Sequence, residues 1–437
     1  MANPILITDT ELQGNLKNVY SDIRQNLFPI STVLFAQIKK EGPGGMRNLK
    51  WGGKNVFFDV ITNPPVNWGT SDAGYLPNSS ETTEVQGNVG VRRFYVTREF
   101  DNLAIVGTQS KQAAFLSLKA KITEEIDGAM QLGMQEHVHG NGLGIRAIIS
   151  SSADTTHCVA TSPYGISGAG QGGLWLYPGM YVAVLDTTGA TTRGKSKIST
   201  VVNSSDNITI TFDTAISGMV STDIIVAATA NDTAYNQYAN GLMNITNRSG
   251  SFASLHGISA SSYARWDATR FVAGTDTDSA DDPNEMDVWK LAATIGAKSG
   301  KRPLANPDEF LLVGTYGLQQ KFIASFLAQR RFNVTAGEEL ELNGGYKALK
   351  LHNMAFVADE YQPAGTLYCV HKPSLAWVDA ADWSPVQYEN SGAVRFIDGR
   401  DAFQTSFKVY FNLMTFQRNA HGSITGYTDT SRFTPVV

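Results

Sequence analysis

One stretch constrains this sequence more than any other: Ser110 to Val138, SKQAAFLSLKAKITEEIDGAMQLGMQEHV. Leu118, Ile122, Ile126, Met130 and Met134 recur every fourth residue, with Phe115 and Ala129 beside them. That is an apolar stripe at helical period. Lys119, Lys121, Glu124, Glu125 and Gln131 fall largely off it. Thr108 or Ser110 can cap the N-terminus, since a side-chain oxygen there accepts an orphan backbone N–H. Gly140, Gly142 and Gly144 end the pattern, as glycine does past a helix C-terminus. The rod would be about 45 Å long, enough to cross a domain. The stretches on both sides are β-like with long loops. The expectation is a helical spine carrying sheet and loops.

Before the spine, residues 8–27 have the pattern of a short amphipathic helix. Thr8 and Glu11 fit a capping box, and Leu12, Leu16, Val19, Ile23 and Leu27 make one face. Pro29 stops it. That face must dock on another part of the fold or on a neighbouring copy. Residues 46–100 have the pattern of one long hairpin, with strand runs Val56–Ile61 and Val89–Thr97. Between the runs lie about 25 residues rich in Asn, Pro, Gly, Ser and Thr, a length that in a compact domain tends to be functional. Trp68 and Tyr75 are embedded there. A two-stranded ribbon buries little alone and needs a partner surface.

After the spine comes a short strand, Ile145–Ile149, and composition shifts near Ser151. From 153 to 228 short strands alternate with turn residues: Met180–Leu185, Ile198–Val202, Asn207–Phe212 and Ile224–Val226. This predicts an inserted β-barrel or sandwich. From residue 282 the pattern is mixed. Asp282 is expected to cap a helix, with Pro283 first, Glu285 completing the box and Gly300 closing it. A strand at Phe310–Val313, a helix over 315–329, strands at Ala355–Ala358 and Thr366–Val370, and an alternating run around Phe407–Leu413 follow.

The chemistry is more notable for what it excludes. The chain has 437 residues, a net charge of −5 and only 17% charged residues, and no Lys/Arg run exceeds two. A DNA partner would be enclosed rather than gripped. Cys158 and Cys369 are far apart and are expected as buried thiols. No segment is apolar enough to span a membrane, and MANPILITDTELQ lacks the basic start of a signal peptide. Gly189–Ser196 fits G-x-x-x-x-G-K-[ST], but a phosphate cradle needs a helix directly after it. Ile198–Asn203 is strand-like instead, so a turn is expected. His137 and His139 fall ~200° apart on a helix, which does not converge on a metal. The acidic run Asp276, Asp278, Asp281, Asp282 and Glu285 lacks the register of a calcium loop. No catalytic constellation and no cofactor site is expected.

The order of docking arm, long hairpin, spine helix and mixed α/β domain, with a late return to strands, resembles the major capsid proteins of tailed double-stranded DNA phages. Those proteins share the Johnson fold, first described for a Hong Kong phage capsid. The resemblance is strongest over GVRRFYVTREFDNLAI (90–105), LHGISASSYARWDA (255–268) and PDEFLLVGTYGLQQKFIA (307–324). It implies an α+β chain divided as an N-terminal arm (1–45), an extended hairpin loop (46–100), a peripheral domain with the spine (101–152), a peripheral return (229–259), an axial domain (260–395) and final peripheral strands (396–437); the inserted all-β domain (153–228) departs from the minimal fold, although several family members carry such insertions.

The resemblance further implies a non-enzymatic virion protein, made and assembled through a procapsid in the bacterial cytoplasm. Its copies would form hexamers and pentamers of an icosahedral shell around packaged DNA, without sequence-specific binding. A separate scaffolding protein, a portal and a decoration protein are the expected partners. The expected assembly contacts are Trp68, Tyr75, Arg92 and Arg93 on the hairpin and Leu16, Val19 and Ile23 on the arm. Two other readings stay open: an encapsulin-type shell of the same fold, and a nucleotide-binding protein using Gly189–Ser196.

Overall fold

The computed structural model describes residues 34, 47–50, 55–64, 67–70, 74–78, 80–103, 118–152, 154–166, 171–204, 207–229, 232–247, 254–330, 349–387 and 394–429. The chain divides into two compact units. One takes residues 1–30, 96–129 and 385–407, the other 31–95, 130–384 and 408–437. The expected arm residues Leu16, Val19 and Ile23 lie outside the described residues.

The elements run in this order: β1 (Arg47–Lys50), β2 (Val56–Asn63), β3 (Thr83–Val89), β4 (Arg92–Asp101) and helix α1 (Leu118–His139). The barrel strands follow: β5 (Ile145–Ser152), β6 (His157–Thr161), β7 (Tyr181–Leu185), β8 (Thr192–Ser204), β9 (Asn207–Phe212) and β10 (Ile224–Ala227). Next come α2 (Leu242–Thr246), β11 (Ser254–Leu255), β12 (Ile258–Ser259), β13 (Thr269–Val272), α3 (Glu285–Ser299), β14 (Phe310–Gly314) and α4 (Tyr316–Arg330). The chain ends with β15 (Lys350–Leu351), β16 (Met354–Ala358), β17 (Leu367–His371), β18 (Leu375–Pro385), β19 (Val394–Phe396), β20 (Ala402–Thr415) and β21 (Gly422–Thr425).

The spine is present as α1 from Leu118, and from Ile126 onward its stripe is buried: Ile126 is 2% exposed, Met130 0%, Met134 5% and Val138 2%. Its last turn is polar as well as buried. Glu136 takes Arg146 in a two-pronged pair at 2.9 and 3.0 Å. Gln135 Nε2 donates to Asp359 at 2.5 Å, and His139 Nε2 lies 3.4 Å from the same carboxylate. The His137 ring accepts the Ala239 N–H at 3.0 Å and sits among Phe94, Tyr238 and Phe411. Both helical histidines are therefore polar-core residues. Among the described residues no group of three or more His, Cys, Asp or Glu could hold a metal. Nor is any helix long and apolar enough to cross a membrane.

The six strands from β5 to β10 close into a barrel in the order β10-β5-β6-β9-β8-β7. Its interior is filled by aliphatic side chains, among them Val182, Val184, Ile198, Ile208, Ile210 and Ile225, together with Cys158. The barrel starts at Ile145, which corrects the boundary expected at 153. β5 pairs antiparallel with both β6 and β10, so without it the barrel would have two open edges. Gly189 lies in the turn between β7 and β8 with φ +74°, a left-handed conformation that favours glycine. Asp186 closes that turn by accepting from Gly189 N and Ala190 N at 2.9 Å each. The eight residues from Gly189 therefore run straight into strand β8, with no helix after them.

A second, mixed sheet runs β13-β21-β17-β14-β16-β15. Val288, Leu291 and Ile295 of α3 and Leu318 and Phe322 of α4 pack on it against Phe310, Leu312, Phe356, Cys369 and Ile424. Cys158 and Cys369 are buried and unpaired. Helix α3 begins later than expected. Asn284, not Asp282, is its cap: Asn284 Oδ1 accepts Asp287 N at 3.0 Å, and Asp287 accepts Asn284 N at 3.3 Å. Asp287 thus takes the place expected for Glu285, and the buried Tyr427 hydroxyl donates to it at 2.9 Å. Gly300 closes the helix as expected, at φ 72°.

In a third sheet β1 runs parallel to β18, β20 follows, and both β4 and β19 pair with β20. Within the first unit, Arg98 pairs with Glu125 at 3.1 Å and the Phe100 and Phe403 rings stack at 6.0 Å.

Candidate assembly surface

The hairpin is shorter than the sequence pattern implies. β2 pairs antiparallel with Thr83–Val89, from Val56↔Val89 to Asn63↔Thr83. The apolar run that follows is β4, which pairs with β20 instead, and β1 belongs with β18. The register sorts the hairpin into two faces. Val56, Phe58, Val60 and Thr62 point inward, while Phe57, Asp59, Ile61 and Asn63 point out. The inward face is held by one aromatic. Phe58 meets Phe416 at 5.7 Å and His256 at 5.9 Å, both edge-on, and Trp266 at 6.2 Å. Opposite it stands Gly87, where an added Cβ would lie 2.4 Å from the Phe58 ring. Only glycine lets that ring lie flat across the ribbon. Asn88 N also donates to His256 O at 2.9 Å, tying β3 down.

Beyond the strands, residues 64–82 carry the most exposed apolar side chains described. Trp68 is 81% exposed, Tyr75 80% and Leu76 90%. Phe57 and Ile61 on the outer face add 56% and 61%. Aromatics of this kind are enriched in protein interfaces, and a contiguous exposed apolar surface marks a contact site. Trp68 and Tyr75 were legible as candidates. Phe57, Ile61 and Leu76 are less legible in the sequence, although the alternation from Val56 onward carries the signal for the first two.

Arg92 and Arg93 are not on the hairpin. They open β4. The Arg92 guanidinium is half-buried in a polar cleft with Asn141, Asn240, Asn244 and His256, and burial lowers its pKa. The exposed Arg93 lies over the Tyr410 ring at 5.9 Å. Tyr410 in turn shares a 3.0 Å hydrogen bond with Tyr95.

A groove of about 530 Å³ runs along the hairpin's flank. Asp59–Thr62 and Pro64 form one wall, and Trp266, Pro373, Ser374, Phe416, Gln417 and Asn419 form much of the rest. Arg265, Lys298, Lys301 and His371 complete it. His371 bonds Ser374 at 2.5 Å and Glu309 at 3.1 Å, and its pKa is lowered, chiefly by burial. Arg265 and the Lys298–Lys301 pair are more than thirty residues apart in sequence, and no run of charge announces them.

No family model and no curated protein sequence matches the chain. Solved structures do. The chain is similar to the capsid asymmetric unit of cyanophage A-1(L), with 12% identity, 97% of this chain and 100% of that chain covered, and a TM-score of 0.55. It is also similar to the capsid of the empty GTA particle, at 8% identity, 97% and 98% coverage and a TM-score of 0.51. For the native GTA particle the values are 8%, 95% and 97%, and 0.50. At such identities the likeness is one of fold, and it spans nearly the whole chain. The architecture is the α+β capsid fold of tailed phages, here with a closed barrel inserted after the spine.

Proposed function

We propose that this chain is the repeating shell subunit of a tailed-phage virion, which self-assembles into an icosahedral container for double-stranded DNA. The observation that carries the reading is the end-to-end match to the cyanophage capsid subunit, 97% of one chain on 100% of the other. A hairpin whose tip exposes Trp68, Tyr75 and Leu76 supports it, because such a surface gains from a neighbour. The work done is binding, not catalysis. Each subunit contributes repeated contacts, in hexamers and pentamers, and the enclosed DNA is held without base-specific recognition. The net charge of −5 fits a container better than a grip. A separate scaffolding protein and a portal are the partners proposed for this role, with a decoration protein as an optional addition to the finished shell. The site of action is the virion, after synthesis in the host cytoplasm.

The test is expression of the chain, with and without its neighbouring phage genes, followed by sedimentation and electron microscopy. Closed icosahedral shells with nuclease-protected DNA in the phage context are the expected result. Shells that hold only protein cargo would favour an encapsulin-type compartment, and a persistently monomeric, nucleotide-binding chain would overturn both shell readings.

A further inference from the structure

The polar cleft at the head of β4 offers hydrogen-bond donors and positive charge, with nothing acidic to meet them. It encloses about 200 Å³. Four stretches of chain converge on it: Arg92 at the start of β4, Asn141 just past the end of α1, Asn240 ahead of α2, and His256 in the turn between β11 and β12. Asn141 Oδ1 accepts Leu143 N at 2.9 Å, and Asn240 Oδ1 accepts Asn244 Nδ2 at 3.0 Å. Each of these two amides therefore keeps its NH2 group, with no acceptor for it among the described residues. His256 Nε2 accepts Thr415 N, so the hydrogen of the neutral ring is on Nδ1. Asn244 Oδ1, an acceptor, is buried and does not face the open space. Arg92 has neither an ion pair nor a hydrogen bond among the described residues, and burial lowers its pKa with no neighbouring charge to offset it. No Asp or Glu lines the cleft. The Arg418 guanidinium is near enough to help depress the His256 pKa, so the field there is positive.

We infer that this cleft binds a tetrahedral oxyanion of the phosphate class, held by the Arg92 guanidinium and the N–H groups of Asn141, Asn240 and His256. The inference does not depend on the shell reading. The site selects by sign: a cation would meet no carboxylate, and a neutral ligand would leave the half-buried guanidinium without a counter-charge. An oxyanion matches the guanidinium fork with two oxygens and leaves others for the amides. Size narrows the class further. The cleft is smaller than the ~300 Å³ at which sites for organic ligands begin, whereas a phosphate with a few waters, at ~30 Å³ per water, fits. The role is structural. The anion joins the end of the spine to the base of β4 and to the β11–β12 turn, whose His256 also meets the Phe58 ring of the hairpin. Free phosphate and a phosphodiester of enclosed DNA present the same oxygens, and the test separates them.

The purified chain is titrated with sodium phosphate, by calorimetry and by thermal melting, against sodium chloride of matched ionic strength. Saturable binding of one anion per chain is expected, with a melting temperature that climbs with the logarithm of phosphate concentration. Arg92→Gln should weaken binding by about tenfold or more, since a hydrogen bond to a charged group is lost. Asn141→Asp guards against a misfolded first variant. It keeps the oxygen that accepts Leu143 N but sets a carboxylate against the anion, so it should abolish binding while melting normally in chloride. A short DNA duplex replaces free phosphate in the second arm. Arg92-dependent binding of the duplex alone would assign the same oxyanion site to the DNA backbone. Absence of saturable binding in both arms, or binding undiminished by both substitutions, overturns the inference.

Discussion

The barrel and the hairpin are both antiparallel β structure, built with the same period-2 alternation, yet they meet opposite ends. In the barrel every strand has two partners, so no edge remains, and the inward side chains fill a closed interior. In the hairpin the two strands pair, among the described residues, with each other alone. One face leans on Phe416, Trp266 and His256, and the other leaves Phe57 and Ile61 in solvent. The difference lies in closure, not in strand propensity. A closed sheet satisfies itself, whereas an open ribbon with an apolar outer face is stable in place but incomplete, and a second molecule can complete it.

The sharpest break of this comparison is removal of the tip. Replacing residues 64–82 by an Asn-Gly turn should keep the melting temperature and abolish shells, since Trp68, Tyr75 and Leu76 are largely exposed and add little to the buried core. Normal closed shells from the truncated chain would make the tip a decorative loop. In stability, the largest contrast is between two isoleucines. Ile210 is 0% exposed inside the barrel, and Ile61 is 61% exposed on the hairpin. Ile210→Asp leaves a buried charge without a partner and should cost several kcal/mol, comparable to the ~5–15 kcal/mol that hold a domain. Ile61→Asp should stay within about 0.5 kcal/mol while impairing assembly. Equal losses on denaturant unfolding would mean the two faces are buried alike.

Acid should separate the two regions next. The hairpin's seat contains His256, whose Nε2 accepts Thr415 N at 3.1 Å, and behind it His421, bonded to the Thr415 hydroxyl at 2.9 Å. Burial lowers both to about 3, helped at His256 by Arg418 and at His421 by His371 and Arg418. His137 is likewise at about 3, through burial and then Arg146. These rings titrate near 6.5 when unfolded, so below that pH the unfolded chain binds protons that the folded one refuses. Stability should be full above pH 6.5 and should fall toward pH 3 by about 1.4 kcal/mol per pH unit for each ring. Between residues 145 and 227 the sole histidine is His157, which is only half-buried and lies 2.9 Å from the Asp154 carboxylate. Hydrogen exchange at pH 5 should therefore release Val56–Val89 before the amides of 181–212. Simultaneous release would show that the barrel and the hairpin's seat unfold together.

What the sequence made legible follows the same division. Alternation reports that a segment is a strand and which face is apolar, so Val56–Ile61 and the barrel strands could be read directly. It does not report the partner. VRRFYV, the more strand-like run, pairs with β20, and the polar TEVQGNV closes the hairpin because Gly87 fits the Phe58 ring. Nor does it report closure. Ile145–Ser152 looked like the end of the spine region because the composition shift comes only at its serines, yet its backbone seals the barrel. Asp282 and Asn284 are both good caps two positions apart, and the Asp287–Tyr427 bond, formed with a residue far along the chain, favours the second. The basic groove was invisible because Arg265, Lys298 and Lys301 meet only through the fold.

A smaller change should then test how firmly the hairpin is seated. Gly87→Ala adds one methyl group, whose position lies 2.4 to 3.0 Å from three atoms of the Phe58 ring. The ring cannot swing away freely because three other rings hold it. Overpacking of this kind costs about 1–3 kcal/mol, and the melting temperature should fall accordingly. If alanine instead raised it, through lower entropy of the unfolded chain, the seat would have slack and Phe58 would not anchor the ribbon.

The smallest effect is expected in the barrel turn that imitates a phosphate loop. Lys195 sits on β8 opposite Ala183, and its Nζ reaches the carbonyls of Thr229 and Asp232 at 3.3 Å each. A phosphate cradle would need that amine and a ring of N–H groups aimed at one point from a helix start. Here Asp186 takes the turn's N–H groups itself. Lys195→Ala removes long contacts at the barrel surface, the Thr229 and Asp232 carbonyls among them, and should shift stability by no more than about 0.5 kcal/mol, with shells unchanged. The stronger check is the unmodified chain melted with and without magnesium and ATP. A bound nucleotide at a hundredfold its dissociation constant would add about 2.7 kcal/mol, a plain rise in melting temperature. No rise is expected, because a strand that closes a barrel has no N–H groups left to offer.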